Sequence, residues 1–361
     1  MGKSGKPRHA VDIFRVRYWY TGVTRELKFD TAYQAERQIE PEHFHVQDLR
    51  TVYPGKWRRY AVGENTPQKK LVRAVDLLAK GSAYELIHPL WFILKKLNSE
   101  KFKAESYLRL LNPTIQSIVM RSGTDRLGAP LVWIPYSNFK ADVLLRRGTL
   151  DALSVLVLYW HRAKMQDDRE QTEAVATAIY HMLLIIGWDI RNRQLHRELF
   201  SIFKAEIFDK TGWKDGLFAT DSKTFELSIC LLHHGAESDP GKKALNTAVW
   251  KKENQRIQAL LAGKMGFDIL FAMKPFCVPT WQFGPPSRSH LDHWAVIRGY
   301  WAWGWRCLLN GHKETIPDRD VRISDPDFNR LLTQQRYVLS WFNDRPGFLS
   351  LGTESKKRNI T

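Results

Sequence analysis

The sequence predicts a mainly α protein: a helical, bundle-like main body with a small N-terminal α/β module made of a β-hairpin and helices. Three observations carry this expectation. From about residue 140 onward, apolar residues recur at helical spacing over 149–165, 170–187, 190–209, 222–234, 244–264, 290–309 and 326–342. Near the start, Val11 to Tyr20 and Val23 to Phe29 are rich in β-branched and aromatic residues, alternate in part, and meet at Thr21-Gly22, the pattern of two paired strands. Apolar residues make up 43% of the 361 and include 14 Trp, enough to build a packed interior.

Residues 1–9 read as a basic tail ahead of the hairpin. Thr31 to Ile39 is a short helix that must stop before Pro41. Residues 56–79 form two short helices around a turn that contains Gly63 and Pro67, and Lys80-Gly81-Ser82 closes the second. Ala83 to Leu97 is helical with Pro89 near its start or at a kink, and Lys103 to Leu111 is helical up to Pro113. Residues 122–130 (SGTDRLGAP) are the best internal break, and Leu131 to Tyr136 is a strand candidate. Pro275, Pro279, Pro285 and Pro286 mark a long loop between the late helices. The run Lys356-Lys357-Arg358 is read as a tail. The chain therefore divides into a basic tail and β-hairpin module over 1–50, a basic helical segment over 51–125, and a large helical domain over 126–361.

The net charge is +17. Such a chain attracts polyanions, so DNA or RNA is the expected partner. The charge is uneven: residues 51–150 hold 17 Lys/Arg against 7 Asp/Glu. The same excess would also serve as a merely soluble basic surface. Cys230, Cys277 and Cys307 are too few and too far apart for a disulfide framework and suit a reducing compartment, so the expected location is cytoplasmic, nucleoid-associated if DNA is the partner. Asp12, Arg15 and Arg17 interrupt any secretory core at the start. Leu150 to Trp160 and Ala174 to Trp188 are too short or too interrupted to span a bilayer, so no membrane partner is expected.

Two fragments bear on function. The first is Lys56-Trp57-Arg58-Arg59-Tyr60-Ala61-Val62-Gly63-Glu64-Asn65-Thr66-Pro67, followed by Leu71, Val72 and Val75. Over about 25 residues it resembles the C-terminal half of phage-repressor-type helix-turn-helix domains, in which an aromatic, a Gly and a Pro precede an apolar helix. The upstream half of that motif has no counterpart here. The resemblance implies DNA binding, with Lys56, Arg58, Arg59, Lys69, Lys70 and Arg73 at phosphates or base edges. The same pattern also fits an ordinary connection between two helices with a basic face.

The second fragment is Arg191-Asn192-Arg193-Gln194-Leu195-His196. It resembles the Arg-polar-x-x-x-His signature of HEPN ribonucleases, helical and usually dimeric proteins. The resemblance implies metal-independent RNA cleavage centred on Arg191, Asn192 and His196. Gly187-Trp188-Asp189 is expected to break the preceding helix and Asp189 to cap the next, placing Arg191 in a first helical turn and Asn192 and His196 on one face. A solvated polar helix start would read the same way.

Cys230-x-x-His233-His234 and His290-x-x-His293 have spacings a metal could use, but no paired CxxC or HExxH is present, and core Cys with surface His is the reading adopted. No metal and no cofactor are expected. Trp294, Tyr300, Trp301, Trp303 and Trp305, with Arg298 and Arg306, could stack bases, although the shared face of Ile297, Trp301 and Trp305 reads as core. The leading expectation is a nucleic-acid-binding protein, with DNA first, in the setting of a mobile element or a phage-defence system. A HEPN-like ribonuclease is the alternative. A subunit of a larger nucleoprotein complex, or a homodimer, is the third.

Overall fold

The computed structural model describes residues 8–47, 50–52, 55–99, 101–122, 131–214, 216–236, 247–280, 285–311, 317 and 321–344. The protein is mainly α. It divides into two compact units, one of Met1–Lys103 and Asn192–Ile202, the other of Ala104–Arg191 and Phe203–Thr361. The expected tails at residues 1–7 and 356–358, and most of the expected break at 122–130, lie outside the described residues.

The first unit opens with α1 (Ala10–Glu26), which occupies nearly the whole stretch expected to be a β-hairpin. Among the described residues the expected hairpin is replaced by this helix, and no N-terminal α/β module is evident. The apolar residues of α1 are buried in two helical stripes, Val11, Phe14 and Tyr18 on one and Val16, Trp19 and Val23 on the other. A helix buried on two sides produces the near-alternation that resembles strands, and packing overrides the β-propensity of Val, Tyr and Trp. Thr21-Gly22 is not a turn. A Cβ on Gly22 would lie 2.5 Å from the Arg193 guanidinium and 2.4 Å from the Glu85 carboxylate, so glycine lets that ion pair sit against the helix.

Next comes α2 (Ala32–Ile39), started by a capping box between Thr31 and Gln34. A short antiparallel pair follows, β1 (His45–Gln47) with β2 (Arg50–Val52). Then come α3 (Lys56–Ala61), α4 (Lys69–Leu78), α5 (Ser82–Ile87) and α6 (Pro89–Lys96), the last two separated at Pro89. Trp19, Trp57, Tyr60, Leu71, Val75 and Leu86 form a core shared by α1, α3, α4 and α5.

The second unit contains α7 (Ala104–Leu108), α8 (Pro113–Val119), the antiparallel pair β3 (Met120–Ser122) and β4 (Leu131–Trp133), α9 (Asn138–Arg147) and α10 (Leu150–Met165). The chain continues through α11 (Arg169–Asn192) and α12 (His196–Glu206), then β5 (Leu217–Phe218), α13 (Ser222–Ala236), α14 (Thr247–Leu261) and α15 (Phe267–Ala272). The last elements are β6 (Cys277–Val278), paired antiparallel with β5, then α16 (Arg288–Asn310) and α17 (Asp325–Asp344). The boundary between the units passes through the ends of α11 and α12.

Helix α10 buries every residue from Asp151 to Trp160, which makes it a core element. Helix α11 is long and apolar enough to cross a membrane by length and composition, against the expectation that its apolar stretch is too interrupted; 67% of its apolar window is buried inside the protein. The expected break at Gly187-Trp188-Asp189 does not occur. A Cβ at Gly187 would come within 2.6 Å of Ile229, so this glycine permits the close approach of α13 instead of ending the helix. The turn lies further on, at Arg193 to Leu195, where Gln194 takes φ +59°.

Candidate nucleic-acid interface

Helix α3 starts without a side-chain cap of its own, from Gly55 in the left-handed conformation (φ +65°). Its first amides are met from α2. The Glu36 carboxylate, fully buried, accepts from the Lys56 amide at 3.3 Å and the Trp57 amide at 3.1 Å. One turn on, Glu40 accepts from the Trp57 indole at 2.9 Å and from the Lys56 ammonium at 2.6 Å. Negative charge at a helix N-terminus is favourable, and each of these amides would otherwise be an orphan donor. The two carboxylates thus fix how α3 enters the core.

That anchoring orients the rest of the helix. Trp57 and Tyr60 turn inward against Trp19, with ring centroids 5.7 and 5.9 Å away. Burial, reinforced by the negative charge of Glu40 and Glu36, pushes the Tyr60 hydroxyl up to about 12. Arg58 and Arg59, between these two rings in sequence, fall on the exposed side. The chain then turns at Gly63, φ +74°, where a Cβ would meet Ile13 of α1 at 2.7 Å. Both the backbone conformation and the space require glycine there. The Arg8 guanidinium donates to the Gly63 carbonyl and the Thr66 hydroxyl, holding the connection from the other side.

Pro67 is buried, and α4 begins two residues later with no side-chain cap at Gln68. Leu71, Val72 and Val75 face the core, whereas Lys69, Lys70 and Arg73 are exposed. The two helices joined around Gly63 to Pro67 are therefore present. Five of the six cations singled out in the sequence lie on the surface: Arg58, Arg59, Lys69, Lys70 and Arg73. Lys56 differs, because its ammonium is paired with Glu40 and neutralises a buried carboxylate. Arg58, Lys69, Lys70 and Arg73 make no ion pair with a described residue. Beyond the cations, the exposed face of α4 runs on through Ala74 to Leu77 and Leu78, and Leu77 is 87% exposed.

No protein-family model, curated protein or solved structure matches this chain. By sequence, the first unit holds 22 Lys/Arg against 12 Asp/Glu, and the larger second unit 33 against 26, so the positive excess is denser in the first.

The ribonuclease-like fragment is arranged differently from expectation. Arg191 lies in the last turn of α11, where a cation is favoured by the helix dipole, and not in a first turn. Its guanidinium faces the buried Glu226 carboxylate at 3.6 Å, donates to the Asn343 side chain at 3.0 Å and lies over the Trp188 ring. Asn192 is exposed at the end of α11, and His196 is buried at the start of α12. Their spacing of four spans the turn at Gln194, so they do not share a helix face. The boundary between the units falls between Arg191 and Asn192.

The neighbouring Arg193, not singled out in the sequence, has the more extensive contacts. It pairs with Glu85 through both terminal nitrogens, donates to the Tyr18 carbonyl at 3.1 Å and lies over the Tyr18 ring at 4.1 Å. With the Arg17–Glu198 pair, it ties 192–202 to α1 and α5.

Of the remaining candidates, His234, His293 and Arg306 are exposed, whereas His233, expected on the surface, is buried with Cys230. Cys230 is buried and its thiol is pushed up to about 12 by desolvation. His233 stacks on Trp188 and faces the Leu184 carbonyl at 3.3 Å, and desolvation brings it down to about 4. Among the described residues no group of three or more His, Cys, Asp or Glu side chains could hold a metal. In α16, Trp301, Trp303 and Trp305 are buried, and Arg298 lies over Trp294 and Phe328 while pairing with Asp325 at 2.7 Å.

Proposed function

We propose that this chain binds nucleic acid, DNA foremost, through the surface carried by α3 and α4 of the first unit. The observation that carries the reading is the set Arg58, Arg59, Lys69, Lys70 and Arg73. These cations are exposed on both sides of one rigidly anchored connection, and four of them have no ion-pair partner among the described residues. Cations held on short, anchored helices can neutralise phosphates without first losing much backbone freedom. The helix N-terminus at Lys69, without a side-chain cap, adds amide donors of the kind that phosphates accept.

The test is a duplex-binding titration against salt. Replacing the five cations by Ala should leave the melting temperature nearly unchanged and weaken binding by at least about tenfold near 100 mM salt. The salt slope should become shallower by about one for each phosphate that is no longer neutralised. A quintuple Ala variant that binds duplex DNA as wild type does would end this reading.

A second reading places the same surface inside a larger nucleoprotein assembly. Leu77, Leu78 and Ile87, exposed at 87, 58 and 55%, favour it, since apolar side chains so exposed mark surfaces that another protein covers. The ribonuclease alternative has its sequence pattern in support, and no further observation favours it.

A further inference from the structure

A small, partly open cleft lies in the second unit between the start of α13 and the middle of α17. Lys223 and Arg336 line it, exposed, and neither makes an ion pair with a described residue. Gln335 also lines it. That side chain is only 4% exposed, yet its amide nitrogen has no hydrogen-bond partner among the described residues. A buried amide that no described residue bonds is costly and calls for a partner.

Asp221, the acidic residue of the lining, is already engaged. Its carboxylate accepts from the Thr224 amide at 2.7 Å and caps α13. Its charge stands against two cations, which leaves the cleft positive. Two cations and an unbonded amide on one small cleft are a donor set for an oxyanion with several acceptor oxygens. Leu332 and Leu339 complete the lining with apolar surface.

We infer that the α13–α17 cleft is a binding site for a single phosphate group, with Arg336 and Lys223 supplying charge and Gln335 a directional amide. The phosphate would come either from a free nucleotide or from the end of a nucleic-acid strand. The site uses none of the α3–α4 residues.

The experiment uses the full chain and follows thermal unfolding in sodium phosphate and in a nucleoside 5′-monophosphate, each against sodium chloride at matched ionic strength. The melting temperature should rise with phosphate beyond the chloride control, and go on rising with the logarithm of its concentration above the dissociation constant. Lys223→Ala with Arg336→Ala should weaken that response by at least about tenfold. Gln335→Leu should keep or raise the melting temperature in chloride, because it removes an unbonded polar group, and should abolish the phosphate-dependent rise. A 5′-phosphorylated oligonucleotide that binds about tenfold tighter than the monophosphate, with the same loss in the variants, assigns the phosphate to a strand end; equal affinity assigns it to a free nucleotide. The quintuple Ala variant of α3 and α4 should retain the full phosphate response, so loss of duplex binding there and loss of this site are separate results. A wild type with no rise in phosphate beyond the chloride control, or variants at Gln335 and Arg336 that keep the rise, would overturn the assignment.

Discussion

Arg193 grips Glu85 through two hydrogen bonds, of 2.8 and 2.9 Å, side by side on α1 at the position where Gly22 leaves room for them. Arg193 is 11% exposed at its side chain and Glu85 28%, so the pair is only partly screened by solvent. Arg193→Ala should destabilise the first unit by about 2–3 kcal/mol, somewhat below the cost of breaking a fully buried pair. Gly22→Ala, which in an exposed helix would be stabilising, should here be destabilising, because the new methyl displaces the pair. Urea unfolding of both variants checks this. A Gly22→Ala protein more stable than wild type would contradict the geometry.

Arg191 offers a contrast between a structural and a catalytic role. Glu226 is 3% exposed and Arg191 is the cation beside it. Arg191→Ala should therefore lower stability by about 2–4 kcal/mol, since it removes a cation 3.6 Å from a buried carboxylate. Adding Glu226→Leu should recover part of the loss. A catalytic arginine held at an open site would show the opposite pattern, with unchanged melting and lost activity.

Close packing of α11 on α13 depends on the missing side chain at Gly187. Gly187→Ala places a methyl 2.6 Å from Ile229 and should cost about 1–3 kcal/mol despite the better helix propensity of Ala. Ile229→Val in the same chain should restore some of that. If Gly187→Ala melts at or above the wild-type temperature, the two helices are not packed as described.

His233 should make stability fall in mild acid. Desolvation brings its folded value from 6.5 to about 4. Between those values the unfolded chain binds the proton and the folded chain does not, so the contribution is full above about pH 6.5 and is lost as pH drops toward 4. The total is about 3 kcal/mol. Urea midpoints at pH 7 and 5 should differ more for wild type than for His233→Phe; equal pH dependence of the two would exclude this histidine as the source.

Much of the fold is legible in the sequence, and the misses have particular causes. Helices α10, α13, α14, α16 and α17 lie close to their predicted spans, because long apolar periods are strong signals. The first thirty residues mislead because α1 is buried on two sides and its Gly22 serves a distant ion pair. Gly187 misleads for the same reason: a glycine needed for close approach cannot be told from one needed to end a helix by reading neighbours. Of the candidate interface, the exposed cations follow from the spacing of Trp57, Tyr60, Leu71, Val72 and Val75. The role of Lys56 does not, since Glu40 reaches it from beyond the end of another helix. Glu36 and Glu40, four apart, carry a visible signal of a shared face, but nothing in the sequence says that α3 would start against it. The α13–α17 cleft joins residues more than a hundred positions apart and has no local signature.

The first unit is completed by 192–202, so its parts are made at different times. Translation proceeds at roughly 5–20 residues per second, and about a hundred residues separate Lys103 from Ile202. For several seconds, then, the α1–α6 region exists on the ribosome with Glu85 lacking Arg193 and Arg17 lacking Glu198. During that interval the core beneath α3 and α4 is complete in sequence, while α1 and α5 still lack the ion pairs that tie them to 192–202. Completion of the first unit is thereby tied to synthesis of two of the second unit's most buried helices, α10 and α11, which must emerge before the last of these ion pairs can close.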